Sequence, residues 1–152
     1  MKINTDGATR DNFGGGGGIV CRGDNGEVLG CYCVTFPGMR EPETVEAMAV
    51  RAALSWIRSN GWEVGYIESD CLNVVLAISS SESILAPIGV VIDDCKSLLS
   101  GMPGFRVRYI RREANRVAHV LASRAQEWSD VVWNCLALPE PILGLVNADL
   151  AQ

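Results

Sequence analysis

The sequence predicts an α/β domain built on a mixed five-stranded sheet flanked by helices. Residues 2–36 hold three β-like runs separated only by turns, which reads as an antiparallel meander. Beyond residue 40, helical periodicity alternates with short strand runs, and such β-α-β steps add parallel strands. Three carboxylates, Asp6, Glu46 and Asp70, each fall at an element boundary. Acids far apart in sequence but each at the end of an element are how an α/β domain assembles a cation site.

The totals fit one such unit. The chain has 152 residues, 48% of them hydrophobic and 20% charged, enough for one domain with a real core. Residues 1–128 form the expected domain, with 129–152 as a C-terminal extension packing on it or trailing it. The net charge of −5 disfavours a general electrostatic nucleic-acid binder, though a local basic patch lies near residue 110. No apolar run is long enough for a bilayer, and Met1-Lys2-Ile3-Asn4 lacks the layout of a signal peptide. Both suggest the cytosol or nucleus, or a domain cut from a longer protein. Six cysteines and one histidine show no zinc-finger spacing, so the cysteines read as reduced, mostly buried thiols. Cys31 and Cys33, two apart on a strand, point to one face.

The elements follow in order. Residues 2–8 form the first strand, and Arg10 to Phe13 a turn. The run Gly14 to Gly18 leads straight into the strand residues Ile19 to Arg22, so a flexible linker is rejected. Glycine there lets another backbone or a ligand come close. Gly23-Asp24-Asn25-Gly26 is a hairpin signal, and Val28 to Phe36 is the third strand. A helix runs from Thr44 to Asn60, with Ala47, Val50, Leu54 and Ile57 at helical spacing and Gly61 as its stop. Val64 to Ser69 is the fourth strand, Leu72 to Ile78 a short helix, and residues 79–83 a polar break. The helix Ile88 to Leu99 turns Ile88, Val91, Ile92, Cys95, Leu98 and Leu99 inward. In the fifth strand, Phe105 to Ile110, Phe105, Val107 and Tyr109 alternate with Arg106 and Arg108. The last helix spans Ala114 to Trp128. The tail from Ser129, broken by Pro139 and Pro141, is expected to pack as an extended segment or to fray. The four tryptophans read as packing residues.

This order of elements resembles the ribonuclease H fold. More narrowly, it is similar to the plant ribonuclease-H-like domains of non-LTR retrotransposon type. The residues that carry the likeness are Asn4-Thr5-Asp6-Gly7-Ala8, the glycine-rich second strand, Glu46-Ala47-Met48-Ala49, Glu68-Ser69-Asp70, and Arg112 to Ala122. It covers residues 1–128 and extends toward the tail from Trp133 to Leu150. The resemblance implies an endonuclease that cuts the RNA strand of an RNA/DNA hybrid with two Mg²⁺ ions, Mn²⁺ being a substitute. Asp6, Glu46 and Asp70 would be its metal ligands, and with His119 its catalytic residues. Two ions about 4 Å apart activate water and stabilise the leaving alkoxide.

Two places depart from the pattern. Relatives carry a fourth aspartate in the last helix where this chain has Ala118-His119-Val120-Leu121-Ala122, as do many plant relatives. Imidazole is a poor Mg²⁺ ligand and adds no negative charge, so the second metal site is expected to be weaker or to favour Mn²⁺. The histidine-bearing loop of many active relatives reads Arg111-Arg112-Glu113-Ala114 here. Gly7, Asn12 and Thr44 resemble minor-groove contacts that read a 2′-hydroxyl. Arg112 and Asn115 are further substrate-binding candidates, and Arg106, Arg108, Arg111, Arg112 and Arg116 form the remaining phosphate surface. Segment 79–103 carries one basic residue, Lys96. The residues themselves leave alternatives open. Asp70 is also placed to cap the helix that follows it, His119 to be an inert surface histidine, and the arginines to be a solvated face. The enzyme reading therefore stands beside a nucleic-acid-binding module that cuts poorly and an interaction domain with relic acids.

Overall fold

Glycines occupy the middle of the sheet, and the helices on both faces are seated against them. The computed structural model describes residues 1–128 and 130–150. Ser129 and residues 151–152, part of the expected extension, lie outside the described residues. The meander comprises β1 (Lys2–Arg10), β2 (Gly14–Arg22) and β3 (Val28–Pro37), all antiparallel. Next come α1 (Pro42–Asn60), β4 (Gly65–Ser69), α2 (Leu72–Ser79), α3 (Ile88–Ser100) and β5 (Phe105–Tyr109). β4 joins β1, and β5 joins β4, both in parallel. The glycine run is itself strand, paired residue by residue with β1 and β3.

The final region differs most from expectation. In place of one helix over 114–128 there is a 3₁₀ turn at Arg112–Ala114, then α4 (Arg116–Ser123) and α5 (Ala125–Trp128). The break coincides with a contact from β1. The Ser123 carbonyl accepts a hydrogen bond from the Arg10 guanidinium at 2.5 Å, and the Glu127 N–H turns to the Arg124 carbonyl instead. The tail supplies a sixth strand, β6 (Val132–Asn134), and α6 (Glu140–Leu150). The sheet order is therefore β5-β4-β1-β2-β3-β6. β6 closes the open edge of β3, with Asp130 accepting hydrogen bonds from the Thr35 N–H (2.8 Å) and hydroxyl. Pro141 does not break α6, because proline is tolerated in a first helical turn. Ile142 and Val146, one turn apart, supply the face that packs.

Each face of the sheet carries its own core. On one, Ile3, Ile19, Cys21 and Ile67 meet α1, α2 and α3 through Val50, Leu54, Ile57, Val74, Ile92 and Cys95. On the other, Val20, Val28 and Cys31 meet α4 and α6 through Val117, Leu121, Ile142 and Val146. All six cysteines are free thiols, four of them buried. Trp56 packs edge-on to Trp62, and Trp128 to Trp133, with centroids 5.2 and 5.3 Å apart. Tyr109 is exposed rather than turned inward, because β5 is the sheet's other edge. Among the described residues, no helix is long and apolar enough to cross a membrane.

The glycines set the layer spacing. A Cβ on Gly18 would lie 2.1 Å from the Ala118 carbonyl oxygen and 2.5 Å from the Ala122 nitrogen. These are backbone atoms of α4, and they cannot step aside without moving the helix. Gly18→Ala is therefore expected to cost about 3 kcal/mol. Gly144 in α6 has nothing within 4 Å of its Cβ position, so Gly144→Ala is expected to stabilise by up to about 1 kcal/mol. Urea unfolding of the two variants should move in opposite directions.

Candidate metal centre

The register of two parallel strands brings two of the acids together. β1 and β4 pair as far as Thr5 opposite Ser69. Asp6 and Asp70 are the next residues on each chain, at the point where the chains part. β1 runs on against β2, while the Ser69 hydroxyl accepts the Cys71 N–H and the chain turns into α2. Asp70 is not that helix's cap; Cys71 holds the position, without a side-chain cap bond. Asp6 is 3% exposed.

The third acid arrives because Gly7 has no side chain. A Cβ there would lie 2.8 Å from the Glu46 nitrogen. The Gly7 N–H donates to Glu46 Oε2 at 3.1 Å, which holds the carboxylate beside Asp6. Pro42 starts α1 two residues earlier than expected, so Glu46 stands in the second turn rather than the first. Asp6, Glu46 and Asp70 each offer one oxygen, and these oxygens lie within 4.8 Å of one another. Hard oxygen donors converging in this way suit a divalent cation of the Mg²⁺ or Mn²⁺ type.

α4 completes the site. His119 Nδ1 is 2.8 Å from Asp6 Oδ2, and the His119 side chain is 42% exposed. Asn115 is 1% exposed. Its amide donates to the Thr5 carbonyl (2.8 Å) and to Asp70 Oδ1 (3.3 Å), tying α4 to both strands. Asn115 Oδ1 is buried without a partner among the described residues. The other substrate candidates are dispersed. Asn12 is exposed in the β1–β2 turn, Thr44 is buried in α1, and Arg112 is exposed in the 3₁₀ turn.

The expected arginine surface divides. Arg108 makes an ion pair with Glu68, its Nε donating at 2.8 Å, and it lies over the Tyr66 ring. Glu68 also accepts from Asn4 at 2.8 Å, so a polar row, buried at Asn4 and Glu68 and half-exposed at Arg108, links β1, β4 and β5 behind the acids. Arg106 donates to the Pro103 and Phe105 carbonyls. Arg111, Arg112 and Arg116 remain exposed, with no ion pair among the described residues. The row escaped the sequence reading, although its signal was present. Asn4 and Asp6, Glu68 and Asp70, and Arg106 and Arg108 share the two-residue period of a single sheet face.

Three acids packed together resist full ionisation. Burial, then the neighbouring Asp6 charge and the contact with Asp6, push the Glu46 carboxyl up to about 9. Burial and Asp70 also raise Asp6, against the opposing contacts of His119 and Glu46. The shared proton thus resides on Glu46. The folded chain holds this proton above pH 4.5, where the unfolded chain releases it, so the cation-free protein loses stability as pH rises from 4.5 toward 9. Thermal unfolding in EDTA should show this decline, and Glu46→Gln should flatten it. Mg²⁺ or Mn²⁺ should raise the Tm most at the alkaline end of the window, where the site is charged.

The comparisons with known proteins agree with this architecture. A family described as reverse transcriptase-like matches residues 4–125. A search of curated proteins returned no match. Among solved structures, RNase H1 from the halophilic archaeon Halobacterium salinarum NRC-1 aligns with a TM-score of 0.75 at 22% identity, over 84% of this chain and 98% of that one. The N-terminal RNase H domain of a Mycobacterium tuberculosis protein gives 0.72 at 22%, over 84% and 95%. LC11-RNase H1, isolated from compost and solved with an RNA/DNA hybrid, gives 0.74 at 20%, over 84% and 96%. At these identities the structural likeness is one of fold. With the family match spanning most of its length, the chain belongs to the reverse transcriptase-like family, on a ribonuclease H fold.

Proposed function

We propose that the chain is a divalent-cation-dependent endonuclease that hydrolyses the RNA strand of RNA/DNA hybrids. The observation that carries this is the meeting of Asp6 on β1, Glu46 on α1 and Asp70 just past β4 within 4.8 Å on a ribonuclease H fold. The hybrid-bound compost enzyme, of the same fold, supports the choice of substrate. The five sequence stretches that carry the resemblance, from Asn4-Thr5-Asp6-Gly7-Ala8 to residues 112–122, support a narrower kinship with the plant non-LTR retrotransposon group.

Asp6, Glu46 and Asp70 would hold the cation, Mg²⁺ with Mn²⁺ as substitute, since all three offer carboxylate oxygen. When bound, it supplies Lewis acidity toward the phosphate and acidifies water. The chain's own groups do the positioning. The Gly7 N–H fixes Glu46, the Asn115 amide fixes Asp70, and His119 Nδ1 fixes Asp6. Nδ1 being engaged, Nε2 is the ring nitrogen of His119 left to pass a proton in the cleft that this residue lines. Asn12, exposed beside the site strand, is the polar candidate for reading a 2′-hydroxyl.

A second reading is favoured by one contact. His119 stands against Asp6 where relatives carry an acid, so the site has three carboxylates, and the module would bind hybrid while cutting it weakly. Cleavage of a labelled hybrid separates the two readings. Activity should depend on added metal and fall about 100-fold or more in Asp6→Asn. Equal cleavage by that variant, or none by well-folded parent protein with either metal, would end the enzyme reading. His119→Asp should raise activity in Mg²⁺ relative to Mn²⁺, because it adds a hard anionic donor.

A further inference from the structure

A cleft of about 620 Å³ opens beside His119, lined by Arg112, Glu113, Arg116, His119, Val120 and Leu145. We propose that it is a subsite for a single-stranded continuation of the nucleic acid beyond the duplex. Arg112 and Arg116 hold its phosphates, and Val120 and Leu145 take an unpaired base. This rests on the reading of the chain as a hybrid-binding nuclease.

Three observations point the same way. First, Arg112 and Arg116 are exposed and have no ion pair among the described residues, while Arg22, Arg51, Arg108 and Arg124 are each spent on a carboxylate. Glu113 shares the rim without pairing to either, and its charge limits how much phosphate the cleft accepts. Second, one wall is apolar. A base stacked in a duplex has no face to offer such a wall, whereas an unpaired base does. The volume is that of a small-ligand site. Third, Leu145 comes from α6, beyond residues 4–125 matched by the family. The cleft is therefore built partly by this chain's C-terminal extension. It adjoins the acids through His119, so a strand leaving the site on that side enters it.

The test is equilibrium binding by fluorescence anisotropy, with Ca²⁺ in place of Mg²⁺. The probes are a blunt RNA/DNA hybrid and the same hybrid with a short overhang, on the RNA strand in one arm and on the DNA strand in the other. An overhang on one of the strands should tighten wild-type binding about ten-fold, and the arm identifies that strand. Arg112→Ala with Arg116→Ala should erase the gain. It should also lower the slope of log affinity against log salt by about 1.4, at 0.7 per single-strand phosphate. Thermal unfolding checks that the variant is folded, and both side chains are exposed. Equal affinity for blunt and overhanging probes, or a gain that survives the double variant, overturns the proposal. Failure of the hybrid reading looks different. In that case the blunt probe is not bound, while a free single strand is still bound through the arginines.

Discussion

Backbone-to-backbone contact at positions without side chains is the constraint on which the site depends. α4 rests on Gly16 and Gly18, and α1 closes on Gly7. A methyl group at any of these would collide with helix main chain or with Ala125. Each approach delivers one functional group. The first brings His119 to Asp6, and the second brings Glu46 to the same carboxylate. The glycine run is a spacing device, and its entropic cost in the unfolded chain is offset by the packing it permits.

That proximity creates an electrostatic burden that the surroundings manage. Asp6 is nearly sealed from water and stands beside two other acids. Without a cation, the charge is relieved by a proton on Glu46 and by donors from Gly7, Asn115 and His119. Behind them, Glu68 is neutralised by Arg108 and accepts a hydrogen bond from the Asn4 amide, so it adds little to the negative field at the centre. The site thus gathers more negative charge than its own donors offset, and a divalent cation would neutralise it.

Much of this was legible in the chain. Asp70 announced itself by standing just past a strand, and the glycine run by leading directly into strand residues. Asp6, expected near a strand end, instead lies midway along β1, and Glu46, expected in a first turn, lies in the second. What could not be read was register. That Thr5 faces Ser69, and so that Asp6 and Asp70 emerge together, depends on pairing across more than sixty residues. The same blindness placed Arg106 and Arg108 on a phosphate surface. Only the alignment of β5 on β4 sets Arg108 opposite Glu68. The break before α5 coincides with a guanidinium contact from a distant strand, and α6 depends on a core it helps to complete. The prolines of the tail, read locally as breaks, instead mark where a helix begins.

The second core also bears on what counts as the unit. The family likeness ends at residue 125, yet Ile142 and Val146 fill the space over Val28 and Cys31, and β6 covers the β3 edge. A chain cut at the edge of the likeness would uncover that apolar floor and leave a bare strand beside it, two invitations to self-association. The segment matched by the family is shorter than the segment that builds the second core. Here the boundary drawn by ancestry and the boundary drawn by packing do not coincide.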